Sequence, residues 1–268
     1  MYLPKRKPRP ANWKVVLTTP IILLALLFPA GAYAVDPSPS PSPSVSASPS
    51  VSPTADVSPS PSPSPDASVD PMPVIYDIDT ASSPSVVVNK KRPLNPKTYI
   101  PANLKKYPGS SVKLAAPARD ALVLMAAAMK KAGAGTLVLN SGYRSYASQK
   151  IIHAAKVSQL GLKAGEALAA RPGYSEHQTG LAADVSAYKQ GCAIFTCFSG
   201  TKAGRWLAEN AWQYGFVIRY PYGQTKITGY QFEPWHLRFI GLEIATDMKA
   251  KSILTVEKYF SLPSAPKY

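Results

Sequence analysis

A Ser/Pro-rich segment limits what this chain can fold into more than any other feature of its sequence. Residues 35–85 contain 13 Pro and 16 Ser among 51 positions. A segment of this kind buries too little apolar surface to offset the entropy of ordering it. We therefore predict a disordered stalk over 35–85, with polyproline II character where proline restricts φ. Residues 86–268 are then left for one folded domain.

The first 34 residues have the layout of a secretory signal. All five of their charged side chains are basic and lie within the first 14 positions, and an apolar run over 15–28 follows. The Ala-x-Ala end favours cleavage after Ala34, and an uncleaved membrane anchor over 15–34 stays open as the alternative. Both alternatives place the domain outside the cytoplasm, either secreted or at the cell envelope.

The charge of the domain indicates what kind of partner it attracts. Residues 86–268 carry 25 basic and nine acidic side chains, a formal charge of +16. A field of this size favours polyanions. Because export argues against nucleic acid, we expect anionic cell-wall polymers as partners. We also expect the protein to be a monomer.

Helical and strand patterns follow one another without regular alternation, which predicts an α+β domain. Helices are expected over 117–131, 146–160, 163–170, 201–214 and 243–260, and strands over 136–139, 181–185, 216–220 and 233–240.

Two of the three histidines lie in dense polar contexts that point to a metal site. His177 stands in a Ser-Glu-His-Gln-Thr-Gly run that leads to Asp184, and His236 ends a Glu-Pro-Trp-His run. Two His and one Asp form a three-ligand set for zinc, and a catalytic zinc site keeps a fourth position for water. Glu233, three residues before His236, is then a candidate general base.

The spacing permits this cluster without establishing it. His177 and Asp184 are seven residues apart, and on a straight strand an odd separation places side chains on opposite faces. They converge if the chain bends, and Gly180 is the candidate position. From spacing alone, the alternative of ordinary polar loop residues stays open.

The combined motifs resemble the M15 zinc peptidases, and among them the VanY-type D-alanyl-D-alanine carboxypeptidases. The resemblance rests on Ser-x-His-x-x-Gly-x-x-x-Asp over 175–184 and Glu-x-Trp-His over 233–236. Further similar segments extend it over roughly 86–245. It implies a single α+β domain of the hedgehog/DD-peptidase type, in which helices flank a small mixed antiparallel sheet.

The resemblance also assigns a zinc site, a catalytic pair and a substrate-binding set, and 86–268 becomes a zinc peptidase domain. The zinc ligands are His177, Asp184 and His236, the catalytic residues are Glu233 and Arg144, and the substrate-binding residues are Arg144, Gln149 and Ser175. The implied activity is removal of the C-terminal D-Ala from peptidoglycan stem peptides.

Arg144 suits an exopeptidase because its guanidinium fork matches a free C-terminal carboxylate. With nine acidic residues in the domain, we do not expect an internal carboxylate to occupy it.

Three other functions stay open: an L,D-carboxypeptidase, a peptidoglycan endopeptidase, and a non-catalytic wall-binding module with a structural zinc. Glu233 argues against the last of these, because a closed structural zinc site has no use for a general base.

Two smaller features complete the sequence-based predictions. Cys192 and Cys197 lie five residues apart in an exported chain, which predicts a local disulfide. Glu176, beside His177, either orients a metal ligand or is solvated.

Overall fold

The computed structural model describes residues 75–268. The predicted signal or anchor over 1–34 and most of the predicted stalk lie outside the described residues. Among the helices formed by residues 75–268, none is both long and apolar enough to cross a membrane.

A four-stranded antiparallel sheet and seven helices form the domain, which confirms the α+β class. The strands of this sheet are β3 (Leu137–Ser141), β4 (Ala182–Ala187), β5 (Phe216–Tyr220) and β6 (Glu233–Phe239), in the order β3-β4-β6-β5. A separate hairpin pairs β1 (Leu104–Lys106) with β2 (Lys113–Ala115). The helices are α1 (Ala116–Lys131), α2 (Tyr146–Leu160), α3 (Leu162–Glu166), α4 (Lys202–Asn210), α5 (Thr225–Thr228), α6 (Leu242–Ala250) and α7 (Val256–Tyr259).

The main core lies between α1 and the sheet. Helix α1 buries Ala118, Leu122, Met125 and Met129, which recur at the spacing of one helical face. Against them pack residues from the sheet and α4, among them Leu237. Full burial of each large side chain contributes about 1.5–3 kcal/mol, so this face holds the helix in place.

Helix α2 forms where the sequence predicts it and directs one face toward the functional site. The Ser145 side chain caps its N-terminus by accepting a hydrogen bond from the backbone N–H of Ser148, and Gly161 ends it. Its one fully buried residue is Gln149. Because the rest of the helix is more exposed, Gln149 marks the side that faces the interior.

Three of the predicted helices are shorter in the structure. The helix expected over 163–170 ends at Glu166. The helix expected over 201–214 ends at Asn210 and continues as a 3-10 turn over Ala211–Tyr214. The helix expected over 243–260 is divided into α6 and α7, because Ser252 adopts a positive φ of 54° and Thr255 caps a new helix.

The predicted boundary between stalk and domain requires correction. The stalk predicted over 35–85 includes residues 75–85, yet Ala81 is buried and Tyr76 and Ile78 pack against a cluster built on α6 and α7. The Tyr76 hydroxyl donates to the carboxylate of Glu243 at 2.8 Å. The Ser/Pro content averaged over 35–85 does not reveal a few apolar residues at the end of this range. The predicted start of the domain at residue 86 is therefore too late in the chain.

Candidate metal centre and active site

The three predicted metal ligands come together at the middle of the sheet. Asp184 on β4 lies directly opposite His236 on β6, and His177 comes from a 3-10 turn over Glu176–Thr179. Their candidate ligand atoms all lie within 4.8 Å of one another. The Asp184 carboxylate is 3.2 Å from His177 Nε2 and 3.1 Å from His236 Nδ1.

Two irregularities of the backbone make this convergence possible. Gly180 ends the 3-10 turn in the left-handed conformation, with φ of 71°, so His177 turns back toward Asp184. The pairing of β5 with β6 shifts register between Ile218 and Tyr220. This shift allows Glu233 and His236, which would diverge on a flat strand, to approach within 3.7 Å.

The donor set fits a zinc ion. His177 Nδ1 lies 2.7 Å from the carbonyl oxygen of Gly142, which can only accept, so the imidazole carries its hydrogen there and presents the Nε2 lone pair. Asp184 Oδ1 is buried and has no hydrogen-bond partner within residues 75–268. Two imidazole nitrogens and a carboxylate oxygen make a ligand set typical of catalytic zinc.

Burial and charge set the protonation of these groups. Burial and the nearby Arg144 lower the pKa of His177 to about 4, which suits a neutral ligand. Burial lowers the pKa of His236, but the carboxylates of Asp184 and Glu176 outweigh it and raise the pKa to about 9. A metal ion therefore competes with a proton for His236 Nδ1, as is general for histidine ligands.

Glu233 lies beside the ligand set in a nearly closed environment. It is 6% exposed, at the start of β6. Burial raises its pKa to about 8, and Asp184 adds to the effect while His236 and Arg144 oppose it. Carboxylates with pKa values raised by burial are typical of general bases in active sites.

Arg144 also reaches the metal-ligand cluster, but the expectation that no internal carboxylate occupies it is wrong. Its Nη2 is hydrogen-bonded to the carboxylate of Asp184, so an internal carboxylate does contact it. Its Nε donates to Ser141 Oγ at 2.9 Å, and its Nη1 lies 3.5 Å from Gln149 Oε1. The small number of acidic residues in the domain does not predict this contact, because the fold places the Asp184 carboxylate beside Arg144.

The two predicted substrate-binding residues, Gln149 and Ser175, are both buried. Gln149 is 1% exposed and donates from Nε2 to the carbonyl of Ala170 at 2.8 Å. Ser175 immediately precedes the 3-10 turn that carries His177. Both residues line the same cavity as the metal ligands, so the predicted site residues share one chamber.

This cavity measures about 540 Å³ and has walls that sequence reasoning missed. Ile152 and Lys156 continue the Gln149 face of α2 at helical spacing. The cavity is also lined by Ile194 and Phe195, which are 39% and 68% exposed. The helical spacing from Gln149 was a usable signal for the first pair. The sequence carries no comparable signal for the second pair, which lies in an irregular loop.

A disulfide closes that loop. Cys192 and Cys197 are bonded, with their Cα atoms 5.5 Å apart, and the Ile194–Phe195 pair lies between them. No free cysteine remains.

An antiparallel sheet that carries a buried His–Asp–His set and an adjacent glutamate defines a metallopeptidase-type centre. The sequence model described as "VanY: D-alanyl-D-alanine carboxypeptidase" matches residues 111–242. The protein YodJ of Bacillus subtilis (strain 168) is 46% identical over 143 residues, which are 53% of this chain and 52% of YodJ. The chain thus spans about half the length of that curated relative.

Two solved structures are similar to this chain in both fold and sequence. The LdcB LD-carboxypeptidase is 38% identical with a TM-score of 0.62, over 69% of this chain and 88% of that one. The vancomycin-resistance D,D-pentapeptidase VanY of the VanB-type cassette, solved with Zn(II), is 30% identical with a TM-score of 0.56, over 65% of this chain and 97% of that one.

The chain belongs to the VanY family of D-alanyl-D-alanine carboxypeptidases. The family resemblance and the hedgehog/DD-peptidase type of fold predicted from the sequence are confirmed. Members of this family are zinc-dependent peptidases, and zinc is the cofactor that the His–Asp–His set fits.

Proposed function

We propose that this protein is a zinc D-alanyl-D-alanine carboxypeptidase that removes the C-terminal D-Ala from peptidoglycan stem peptides. The observation that carries the proposal is the placement of Glu233 and Arg144 against the ligand set in one cavity. The family description and the D,D-pentapeptidase VanY support the same substrate class.

The side chains around the cavity have complementary roles in this reaction. His177, Asp184 and His236 would hold zinc, which supplies Lewis-acid polarisation of the scissile carbonyl and a lowered pKa for water. Glu233 accepts a proton from the attacking water and returns it to the leaving amine.

Arg144, Gln149 and Ser175 orient the substrate in this proposal. The Arg144 guanidinium, held by Ser141 and Gln149, stabilises negative charge on the substrate. Gln149 and Ser175 form the polar wall beside it and contact the terminal residue of the peptide.

The second candidate is an L,D-carboxypeptidase, which the similarity to LdcB favours. The two activities differ in substrate length, since one removes D-Ala from a pentapeptide that ends in D-Ala-D-Ala and the other removes it from the tetrapeptide. The three residues that would hold the metal do not by themselves separate the two activities.

One incubation series tests the proposal and separates these alternatives. The purified chain with one zinc per molecule is given a muramyl pentapeptide or tetrapeptide, with and without chelator, and products are followed by mass spectrometry. We expect chelator-sensitive loss of one alanine from the pentapeptide. Loss only from the tetrapeptide would assign L,D specificity, and cleavage of neither would contradict both assignments.

Arg144→Ala distinguishes an exopeptidase from an endopeptidase. We expect kcat/KM for the pentapeptide with a free C-terminus to fall about 10²–10³-fold, the effect of losing one charge-stabilising donor in an active site. An amidated C-terminus should already be a poor substrate for the unaltered protein. An equal loss on free and amidated peptides would argue for an endopeptidase.

We also propose that the protein is exported and acts as a monomer at the cell envelope, with 1–34 as a cleaved signal or an anchor. The basic run, the apolar run and the Ala-x-Ala end support export, and the charge of +16 over 86–268 favours association with anionic wall polymers. The intact mass of the protein recovered from envelope and medium would distinguish a cleaved signal from a retained anchor.

A further inference from the structure

Behind the metal-binding residues lies a cluster of four buried charged side chains. Glu176, Arg219, Arg238 and Glu257 are each at most 2% exposed. The two carboxylates balance the two guanidinium groups, so the cluster is formally neutral. Buried charges persist in folded proteins when they are paired and hydrogen-bonded in this way.

Glu176 stands between the cluster and the metal site. Its Oε1 accepts from Arg219 Nε at 2.7 Å and from Arg238 Nη1 at 3.0 Å. Its Oε2 is buried, has no hydrogen-bond partner within residues 75–268, and lies 3.6 Å from His236 Nε2. His236 Nε2 is also buried and without a partner among these residues.

Glu176 Oε2 and His236 Nε2 can form a hydrogen bond with each other when His236 binds metal through Nδ1. A neutral imidazole that ligates through Nδ1 carries its hydrogen on Nε2, and that nitrogen then needs an acceptor. Glu176 Oε2 is the facing acceptor, and a movement of about 0.7 Å brings the pair to ordinary hydrogen-bond distance. Histidine ligands commonly donate their second N–H to a carboxylate, which sets the tautomer and the ring orientation.

We propose that Glu176 is a positioning residue that orients His236 toward the metal, and that Arg219 and Glu257 hold Glu176 in place. This inference rests on the zinc site of the proposed function and is independent of the substrate.

The role of Glu257 follows from its contacts with Arg219. Arg219 donates from Nη1 and Nη2 to the two carboxylate oxygens of Glu257, at 3.0 and 2.6 Å. Asn89 Nδ2 donates to Glu257 Oε1 at 3.1 Å. Glu257 lies in α7, beyond the residues 111–242 that the family model matches. The C-terminal helix therefore reaches the metal ligand through two intervening side chains.

The other arginine is held from the N-terminal side. Arg238 Nη2 donates to the carbonyl oxygens of Pro84 and Val86, at 3.0 and 2.7 Å. Both segments that flank the family match thus restrain the two guanidinium groups on Glu176. A displacement of either segment is expected to loosen the carboxylate that faces His236.

The test is the zinc affinity of Glu176→Gln in the full chain, measured by competition with a chromophoric chelator. The amide has one oxygen, which the two arginines occupy, so its NH2 group would face the N–H of His236. We expect zinc affinity to fall about 10- to 100-fold, as for other groups that orient metal ligands. The visible spectrum of the cobalt(II)-substituted variant should change as well, because it reports the ligand geometry.

A second variant, Glu257→Gln, changes a residue that does not contact His236. It provides the test if Glu176→Gln does not fold. Glu257→Gln should weaken zinc binding by about tenfold or less, since its effect passes through Arg219. Met248→Ala is the matched control, because it loosens the apolar packing of the same C-terminal region without removing a charge.

Two results would overturn the proposal. One is a folded Glu176→Gln protein with unchanged zinc affinity and an unchanged cobalt spectrum. The other is an equal loss of zinc affinity in Met248→Ala and Glu257→Gln at matched thermal stability. Since zinc affinity is read without substrate, failure of the proposed peptidase activity would leave this test unaffected.

Discussion

Glu233→Gln is expected to reduce hydrolysis of the pentapeptide by about 10²–10⁴-fold, the usual contribution of a positioned general base. The amide cannot accept the proton of the attacking water. The other two carboxylates that line the cavity are already engaged, since Asp184 contacts both histidines and Arg144, and Glu176 contacts two arginines. Initial rates on the pentapeptide measure the effect.

Two measurements make that result specific to catalysis. The variant should retain one zinc per chain and an unchanged thermal unfolding midpoint, because Glu233 is not part of the three-ligand group. Glu209→Gln, a removal of negative charge at an exposed position of α4, is the matched control and should keep full activity. A Glu233→Gln protein with more than about a tenth of the normal rate would exclude Glu233 as the base.

Removal of the metal is expected to abolish hydrolysis and to lower stability together. The binding of an ion by the folded state alone stabilises it by about 4 kcal/mol at a thousandfold excess over Kd. For a domain of this size, that corresponds to a loss of about 8–16 °C in the unfolding midpoint on chelation. Calorimetry with and without chelator measures the shift.

Restoration of zinc should recover both the rate and the midpoint. Asp184→Ala is the matched variant and should show neither loss on chelation nor recovery, because one of three ligands is gone. Full activity after exhaustive chelation, with zinc shown to be absent by elemental analysis, would contradict a metal-dependent mechanism.

The residue types of the candidate site could be predicted because their chemistry is local. His177 and His236 are two of three histidines in the chain, and each lies in a short run with a carboxylate. Neutral imidazole and carboxylate are the groups that bind zinc, so residue identity alone limited the choice of ligands. A carboxylate three residues before His236 likewise identifies Glu233 as the candidate general base.

The contacts between these residues could not be predicted, since they depend on register and curvature. A flat β6 would separate Glu233 from His236, and the shifted pairing with β5 brings them together. The sequence predicts no internal partner for Arg144, yet β4 presents Asp184 to it.

The sequence by itself determined the class of the domain, the metal-binding residue types and the helix that carries Gln149. These depend on periodicity, capping and side-chain chemistry within short windows. The tertiary structure decided which distant groups serve the same centre. Glu257 lies 81 positions after Glu176, yet both accept hydrogen bonds from the guanidinium of Arg219, Glu176 from Nε and Glu257 from Nη1 and Nη2. A contact of that kind arises from burial of charge among non-local segments, and no local pattern in the chain records it.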